Sequence, residues 1–338
     1  MNKKVLSLAE LTLVFFIVMC MAAPFMVMPD ILYPERMDSL YVQRMEIKYL
    51  QNDSPDNKNK QQFLYNPSSL NLSYRNFEVI TADSVKINAW YIPSDAEQNF
   101  VVVILHDLND SRISCLNLAK AMHIRNLDVC LIDMRAHGSS GGNEFLPGML
   151  AVSDVRLLLD SLEEHFYVDQ LAILGIGMGA AVAAQFASLD ERVNALVMQS
   201  PFASLGKFVD SHYRNKWGAL HRVYSRIARS RIKSRLGYSP EKLNLPAICK
   251  SISVPTLVLA GNRDEEVPYL ESVNVFDSSA AEIKNFITIN DAAHDDFEEH
   301  GGRAYFDAIS GFLHDAVPAH KERVRKKIVK NDQPRHHQ

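Results

Sequence analysis

Short apolar runs that alternate with helical patterns constrain the fold of this chain more than any other feature. The runs read FVVVILHD (100–107), LDVCLIDM (127–134), LAILGI (171–176), NALVMQS (194–200) and PTLVLAGN (255–262). Runs of this length without alternation are typical of strands that are buried on both faces. Helical patterns lie between them, at Ser111–Arg125, Met149–His165 and Met178–Leu189. The alternation predicts an α/β fold with a mostly parallel central sheet and helices on both faces.

Composition supports a large packed core and gives no signal for nucleic-acid binding or metal binding. Of the 338 residues, 47% are hydrophobic and 22% are charged, which favours a packed domain over disorder. The net charge of −4 gives no signal for nucleic acid, and we expect no nucleic-acid partner. The four cysteines have neither metal-ligand spacing nor a disulfide pattern, and we expect buried thiols. We predict no metal and no cofactor.

The N-terminus predicts attachment to a membrane. The uncharged run Leu11–Met28 follows the basic start MNKK, and its 18 residues are the lower limit for a membrane-spanning helix. A cleaved signal peptide is the alternative. We expect residues 1–29 to be a single-pass anchor. Lys3 and Lys4 favour a cytoplasmic N-terminus, which would place the domain on the extracytoplasmic side.

The rest of the chain divides into three segments, the second of which carries an insertion. Residues 30–75 contain the polar stretch QNDSPDNKNKQQ and are interpreted as a stalk or linker. The main domain is expected at 76–317, opening with a hairpin of FEVITA and VKINAWYIP. An insertion at about 205–251 interrupts the alternation and predicts a small helical cap. The basic tail 318–338 is expected to be disordered.

The cap segment carries a cluster of basic residues with two interpretations. A solvated helix face is the simpler one, and contact with acidic lipid headgroups is the alternative. The cluster consists of Arg222, Arg226, Arg229, Arg231, Lys233 and Arg235.

A glycine-spaced turn follows the third apolar run, in LAILGIGMGA. A strand, a tight turn and a helix in this order resemble the nucleophile elbow G-x-S-x-G, in which the central serine attacks the substrate. Gly177 occupies the central position here. A dinucleotide-binding loop is a poorer interpretation, because G-x-G-x-x-G would need glycine at Ala180.

Several further motifs, in one order, resemble the α/β-hydrolase superfamily over about residues 70–316. These are VVVILHD, DMRAHGSSGG, GIGMGA, SPFASL, GNRDEEVP and DAAHDDF. The resemblance is greatest to the membrane-anchored branch near serine aminopeptidases and monoglyceride lipase-like esterases. It implies an α/β-hydrolase fold with a small helical cap.

The resemblance also assigns positions to the catalytic groups of the family. The acid would be Asp264 and the base His294, following the elbow in the order that this fold uses. The oxyanion hole would consist of the backbone N–H groups of Leu108 and Met178. Asp264 has a second interpretation, as the cap of a helix that starts near Val267.

Two departures from the family pattern bear on activity. Gly177 has no side chain and cannot attack a carbonyl carbon. Asp107 stands where the family usually has glycine, and a carboxylate near the oxyanion hole would oppose a developing negative charge unless it points away. Glycine at the elbow can adopt the unusual backbone conformation of this turn without the strain that a Cβ would add.

Three functions therefore remain open from the sequence. The favoured hypothesis is a pseudo-hydrolase that binds an acyl or peptide small-molecule ligand, or a partner, without turnover. The alternative is an active hydrolase of esters, lipids or peptides. It would use Asp264 and His294 with water, or with a nucleophile such as Ser111, Cys115 or Ser140. The third is a membrane-anchored interaction module. The sequence leaves the oligomeric state open.

Overall fold

A computed structural model of the chain describes residue 7 and residues 10–18, 31–51, 63–96 and 99–331. The central element is an eight-stranded sheet with the order β1-β2-β4-β3-β5-β6-β7-β8. Only β2 runs antiparallel to its neighbours β1 and β4, and the other pairs are parallel. The strands are β1 (Arg75–Ile80), β2 (Lys86–Ile92), β3 (Phe100–Leu105), β4 (Asp128–Asp133), β5 (Gln170–Ile176), β6 (Val193–Gln199), β7 (Thr256–Gly261) and β8 (Lys284–Ile289).

Helices cover both faces of this sheet. The helices of the described residues are α1 (10–18), α2 (Ser39–Gln51), α3 (Leu116–His123), α4 (Met149–His165), α5 (Met178–Ala187), α6 (Leu205–Trp217), α7 (His221–Leu236), α8 (Leu245–Cys249), α9 (Tyr269–Ser278) and α10 (Phe297–Asn331). Apolar residues of α3 and α10 pack in one core cluster, and those of α4, α5 and α9 pack in another. Strands β3, β4 and β7 are buried at every residue, because helices lie on both of their faces. This architecture confirms the predicted α/β class.

The segment between β6 and β7 interrupts the alternation of strand and helix. Its two longest helices, α6 and α7, pack against each other, and a short turn at Gly218–Leu220 joins them. The N-cap Ser204 starts α6 by accepting a hydrogen bond from the Lys207 N–H. Asn244 caps α8 in the same way. Local capping residues therefore define where α6 and α8 begin.

The segment predicted to be a stalk contributes to the core instead. Ile31 and Leu32 are 2% and 3% exposed and belong to one core cluster, and Leu70 and Leu72 belong to the other. The Phe145 N–H donates to the Leu32 carbonyl, which ties this segment to the loop before α4. Apolar residues among polar neighbours are buried here because the sheet and helices leave room for them, which the sequence pattern could not reveal. The stretch 52–62 lies outside the described residues.

The prediction of a disordered tail from residue 318 is wrong as far as Asn331, because α10 continues to that residue. The tail sequence is rich in lysine, arginine and glutamate, which are good helix formers. Extending an existing helix is also far easier than nucleating one. Residues 332–338 lie outside the described part.

Candidate active site

The turn between β5 and α5 has the backbone of a nucleophile elbow without its side chain. Gly177 has φ 52° and ψ −110°, a conformation that strains any residue with a Cβ. Gly175 and Gly179 allow the strand and the helix to approach, because a Cβ on Gly175 would overlap the Gly179 backbone. A Cβ on Gly179 would overlap the backbone of Leu105. All three glycines of the motif are therefore required by the geometry of the turn.

Asp264 and His294 meet at the carboxyl end of the sheet. His294 Nδ1 lies 2.8 Å from Asp264 Oδ2, and the two residues are 8% and 7% exposed. Asp264 follows β7, and its Oδ1 accepts from the N–H groups of Glu266 and Val267. It therefore both caps the following turn and orients the imidazole. The hydroxyl of Ser200 donates to Asp264 Oδ2 at 2.8 Å, a contact that the sequence analysis missed.

Asp107 turns into the site and occupies its centre. Its Oδ1 accepts from the backbone N–H groups of Leu108 and Met178, each at 2.6 Å. Its Oδ2 lies 2.6 Å from His294 Nε2. These N–H groups are the ones expected to form the oxyanion hole. One carboxylate therefore contacts both donors and the imidazole.

The same carboxylate also fills the space of the missing nucleophile. A Cβ built on Gly177 would overlap all three carboxyl atoms of Asp107. The sequence had singled out Asp107 as unfavourable to an anion unless its side chain points away. The structure places it inside the hole, where it supplies the negative charge itself.

These contacts determine the charge of the imidazole. Burial by itself would lower the pKa of His294, but hydrogen bonds to Asp107 and Asp264 raise this pKa well above its ordinary value. His294 is therefore an imidazolium at neutral pH, with both ring N–H groups donating to carboxylates. An imidazolium in this state has no lone pair with which to act as a general base.

The raised pKa of His294 predicts a pH-dependent contribution to stability. A group whose pKa is higher in the folded state stabilises most when it is protonated in both states, below about pH 6.5. The contribution is then lost as the pH rises through the folded-state pKa. We expect wild type to melt well above His294→Gln near pH 6, and the difference in melting temperature to narrow steadily as the pH rises above about 6.5. A difference that does not change with pH would contradict the imidazolium assignment.

The other candidate nucleophiles named from the sequence are buried or are hydrogen-bonded to the backbone. The Ser140 hydroxyl donates to the Asp133 carbonyl and accepts from the Asn88 N–H. Ser111 is 1% exposed, and its hydroxyl accepts from the Ile113 N–H. Burial raises the pKa of the Cys115 thiol well above its ordinary value, which keeps it protonated and unreactive. Each of these groups is therefore poorly suited to attack.

A cleft of about 520 Å³ opens beside Asp107 and His294, and its wall is acidic. Burial raises the pKa of Asp110, Asp295 and Glu298 in this wall. Within the described residues, no lysine or arginine forms a salt bridge with any of these three carboxyls. The cleft therefore favours a cationic group over an apolar chain or an anion.

Comparison with known proteins agrees with this geometry. The family described as serine aminopeptidase, S33, matches residues 96–242. An uncharacterized protein of Mycobacterium tuberculosis is 31% identical over 242 residues, which cover 71% of this chain and 79% of that protein. Protein bem46 of Schizosaccharomyces pombe is 24% identical over 253 residues, covering 73% and 79% of the two chains. The Pyrococcus furiosus esterase Pf2001 superposes with a TM-score of 0.61 at 22% identity, covering 75% of this chain and 95% of the esterase.

The chain belongs to the α/β-hydrolase superfamily. Within that superfamily its matched segment is similar to the serine aminopeptidases, as the sequence motifs predicted.

The N-terminal anchor stays a prediction. A relative from Saccharomyces cerevisiae, 21% identical over 248 residues that cover 73% of this chain and 82% of the relative, is called an uncharacterized membrane protein. None of the helices in the described residues is both long and apolar enough to cross a membrane. Residues 19–28, which are more than half of the uncharged run, lie outside the described part.

Proposed function

We propose that this protein is a non-catalytic α/β hydrolase whose acyl-transfer site is filled by its own side chain, and that the adjoining cleft binds a ligand. One observation carries the proposal. The Asp107 carboxylate accepts hydrogen bonds from Leu108, Met178 and His294, in the space where a side chain at position 177 would lie.

The energetics of this arrangement oppose turnover. A substrate carbonyl would have to displace a carboxylate that makes three charge-assisted hydrogen bonds. Hydrogen bonds to charged groups contribute about 1.5–3 kcal/mol each, roughly twice as much as neutral ones. A neutral ester or amide oxygen would form weaker hydrogen bonds with the same donors than the carboxylate does. The nucleophile is also absent, so displacement of Asp107 alone would leave nothing to attack the substrate.

The alternative of a hydrolase that activates water directly has less support. Water activation needs a neutral His294 with a free nitrogen, and both of its ring nitrogens face carboxylates. The raised pKa of His294 opposes the neutral form at physiological pH.

The acidic wall of the cleft favours one of the two ligand classes expected from the sequence. Three carboxyls line this wall without a lysine or arginine partner among the described residues, of which Asp110 and Glu298 are partly buried and Asp295 is exposed, and a cationic group would supply that partner. A peptide with a free amino terminus supplies such a group, whereas an acyl chain does not. We therefore propose that the ligand is a peptide or a similar primary amine, bound beside Asp107.

A dipeptide p-nitroanilide with a free amino terminus tests both parts of this proposal. We expect a saturable rise of a few degrees in melting temperature, because a ligand that binds only the folded state stabilises it. We expect no release of p-nitroaniline. The N-acetylated form of the same compound is the matched control and should give a much smaller shift. Release of p-nitroaniline that disappears in His294→Ala would contradict the non-catalytic assignment, and equal shifts for both compounds would contradict the amine site.

A further inference from the structure

A second cavity lies in the cap, between α6 and α7, and it is lined mainly by arginines. Its volume is about 390 Å³. Helix α7 presents one face to it, because its lining residues recur at the spacing of a helical turn. The lining residues are Asp210, Arg214, His221, Arg222, Ser225, Arg226 and Arg229.

The charges in this cavity are unbalanced. Arg229 donates to Asp210 Oδ2 at 2.5 Å and lies 3.1 Å from Glu241 Oε1, so one arginine is neutralised locally. Arg214, Arg222 and Arg226 have no ion pair with the residues that the structure describes. The cavity therefore keeps an excess of positive charge, and the arginine side chains that carry it are exposed at its rim.

A buried hydroxyl at the base of the cavity also has no partner. Ser225 is 3% exposed, and its Oγ makes no hydrogen bond within the described part of the chain. The Nε of Arg229 is buried and unpartnered in the same way. Buried polar groups in native proteins are nearly always satisfied, so an unpaired hydroxyl beside unpaired cations indicates a missing acceptor.

We infer that this cavity binds a phosphoryl group. A phosphate has several acceptor oxygens and a charge of up to −2, and the planar guanidinium fork of arginine matches its geometry. One oxygen would accept from Ser225 Oγ, and others from Arg222 and Arg226 at the rim. A carboxylate has fewer acceptors and a single charge, so it satisfies this set of donors less well. The inference is independent of the function proposed for the site around Asp107.

The phosphoryl group has two sources, a membrane phospholipid or a soluble phosphate compound. Leu220 and Val223, on the turn before α7 and on its first turn, are 58% and 55% exposed. Exposed apolar side chains beside a basic cavity favour a lipid headgroup, because they could contact acyl chains while the arginines hold the phosphate.

The experiment compares the full chain with variants of α7 that carry the same change in charge. Arg222→Gln/Arg226→Gln removes two charges from the cavity. The control Arg231→Gln/Lys233→Gln removes two charges from the same helix outside it. Ser225→Ala removes the unpaired hydroxyl. The probes are inorganic phosphate, followed by calorimetry, and co-sedimentation with phosphatidylcholine vesicles, with and without phosphatidic acid.

We expect Arg222→Gln/Arg226→Gln to weaken phosphate binding at least about tenfold, and the control pair to weaken it less than about threefold. Ser225→Ala should weaken binding about threefold or more without lowering the melting temperature, because it removes a group without a partner. If wild type prefers vesicles that contain phosphatidic acid and Arg222→Gln/Arg226→Gln does not, this result identifies a membrane lipid as the source of the phosphoryl group. Binding of inorganic phosphate by a wild type that shows no preference for phosphatidic acid identifies a soluble phosphate compound as the source.

Two results would overturn the inference. One is the absence of phosphate binding by wild type together with equal vesicle binding by all variants. The other is an equal loss in the cavity variant and in the control, because this would indicate a general electrostatic effect of the helix.

Discussion

The double variant Asp107→Gly/Gly177→Ser gains hydrolysis of short p-nitrophenyl esters, at least about 100-fold over wild type, because Asp264 and His294 are already in place. Removal of the carboxylate frees the N–H groups of Leu108 and Met178 for a developing oxyanion. It also leaves His294 with one carboxylate partner instead of two. The pKa of His294 then falls toward the range in which the imidazole accepts a proton from a hydroxyl. A fluorophosphonate probe should label the double variant at position 177 and leave wild type unlabelled.

The single variants are the controls for this gain, and both should remain inactive. Gly177→Ser alone places its Cβ against the Asp107 carboxyl, with the oxyanion hole still filled. Asp107→Gly alone has no nucleophile. Adding His294→Ala to the double variant should abolish the gain. Activity of Gly177→Ser equal to that of the double variant would contradict the blocking role of Asp107, and labelling of wild type would contradict the absence of a nucleophile.

Gly177→Ala is expected to destabilise the protein more than Gly218→Ala, a replacement at a glycine with a similar backbone conformation. The backbone strain of a Cβ in this conformation costs about 1–3 kcal/mol. Displacement of Asp107 adds the loss of hydrogen bonds to a charged group, each worth about 1.5–3 kcal/mol. We therefore expect a loss of about 3–5 kcal/mol in the free energy of unfolding, measured by denaturant titration.

Gly218 provides a matched control for the strain alone. Its φ of 50° and ψ of −122° nearly equal those of Gly177, but a Cβ on Gly218 would have no heavy atom within 4 Å. Gly218→Ala should therefore cost only the backbone part, about 1–3 kcal/mol. In an Asp107→Gly background, Gly177→Ala should also cost less than in wild type, because the steric part is absent. Equal losses for the two glycine variants would show that Asp107 can move aside freely.

Much of the fold and part of the site could be predicted from the sequence, because those features leave local patterns. Strands β3, β4 and β7 can be recognised from their own continuous apolar runs, because such runs are typical of strands covered on both faces. The positions of Gly177, Asp264 and His294 follow from motif order along the chain. The burial of Ile31 and Leu32 could not be predicted, since two apolar residues among polar ones have no periodicity and their burial depends on a gap in the core.

The sequence by itself determined the class of fold, the absence of a hydroxyl at the elbow and the unusual presence of Asp107 after β3. Only the tertiary structure decided that this carboxylate points inward. Asp107 and His294 are 187 residues apart, and Asp107 and Met178 are 71 apart, so their contacts depend on how β3, β5 and the loop after β8 end at one edge of the sheet. A side-chain direction of this kind is set by three-dimensional packing and by the partners available at its tip. For Asp107 those partners are two backbone N–H groups and an imidazolium.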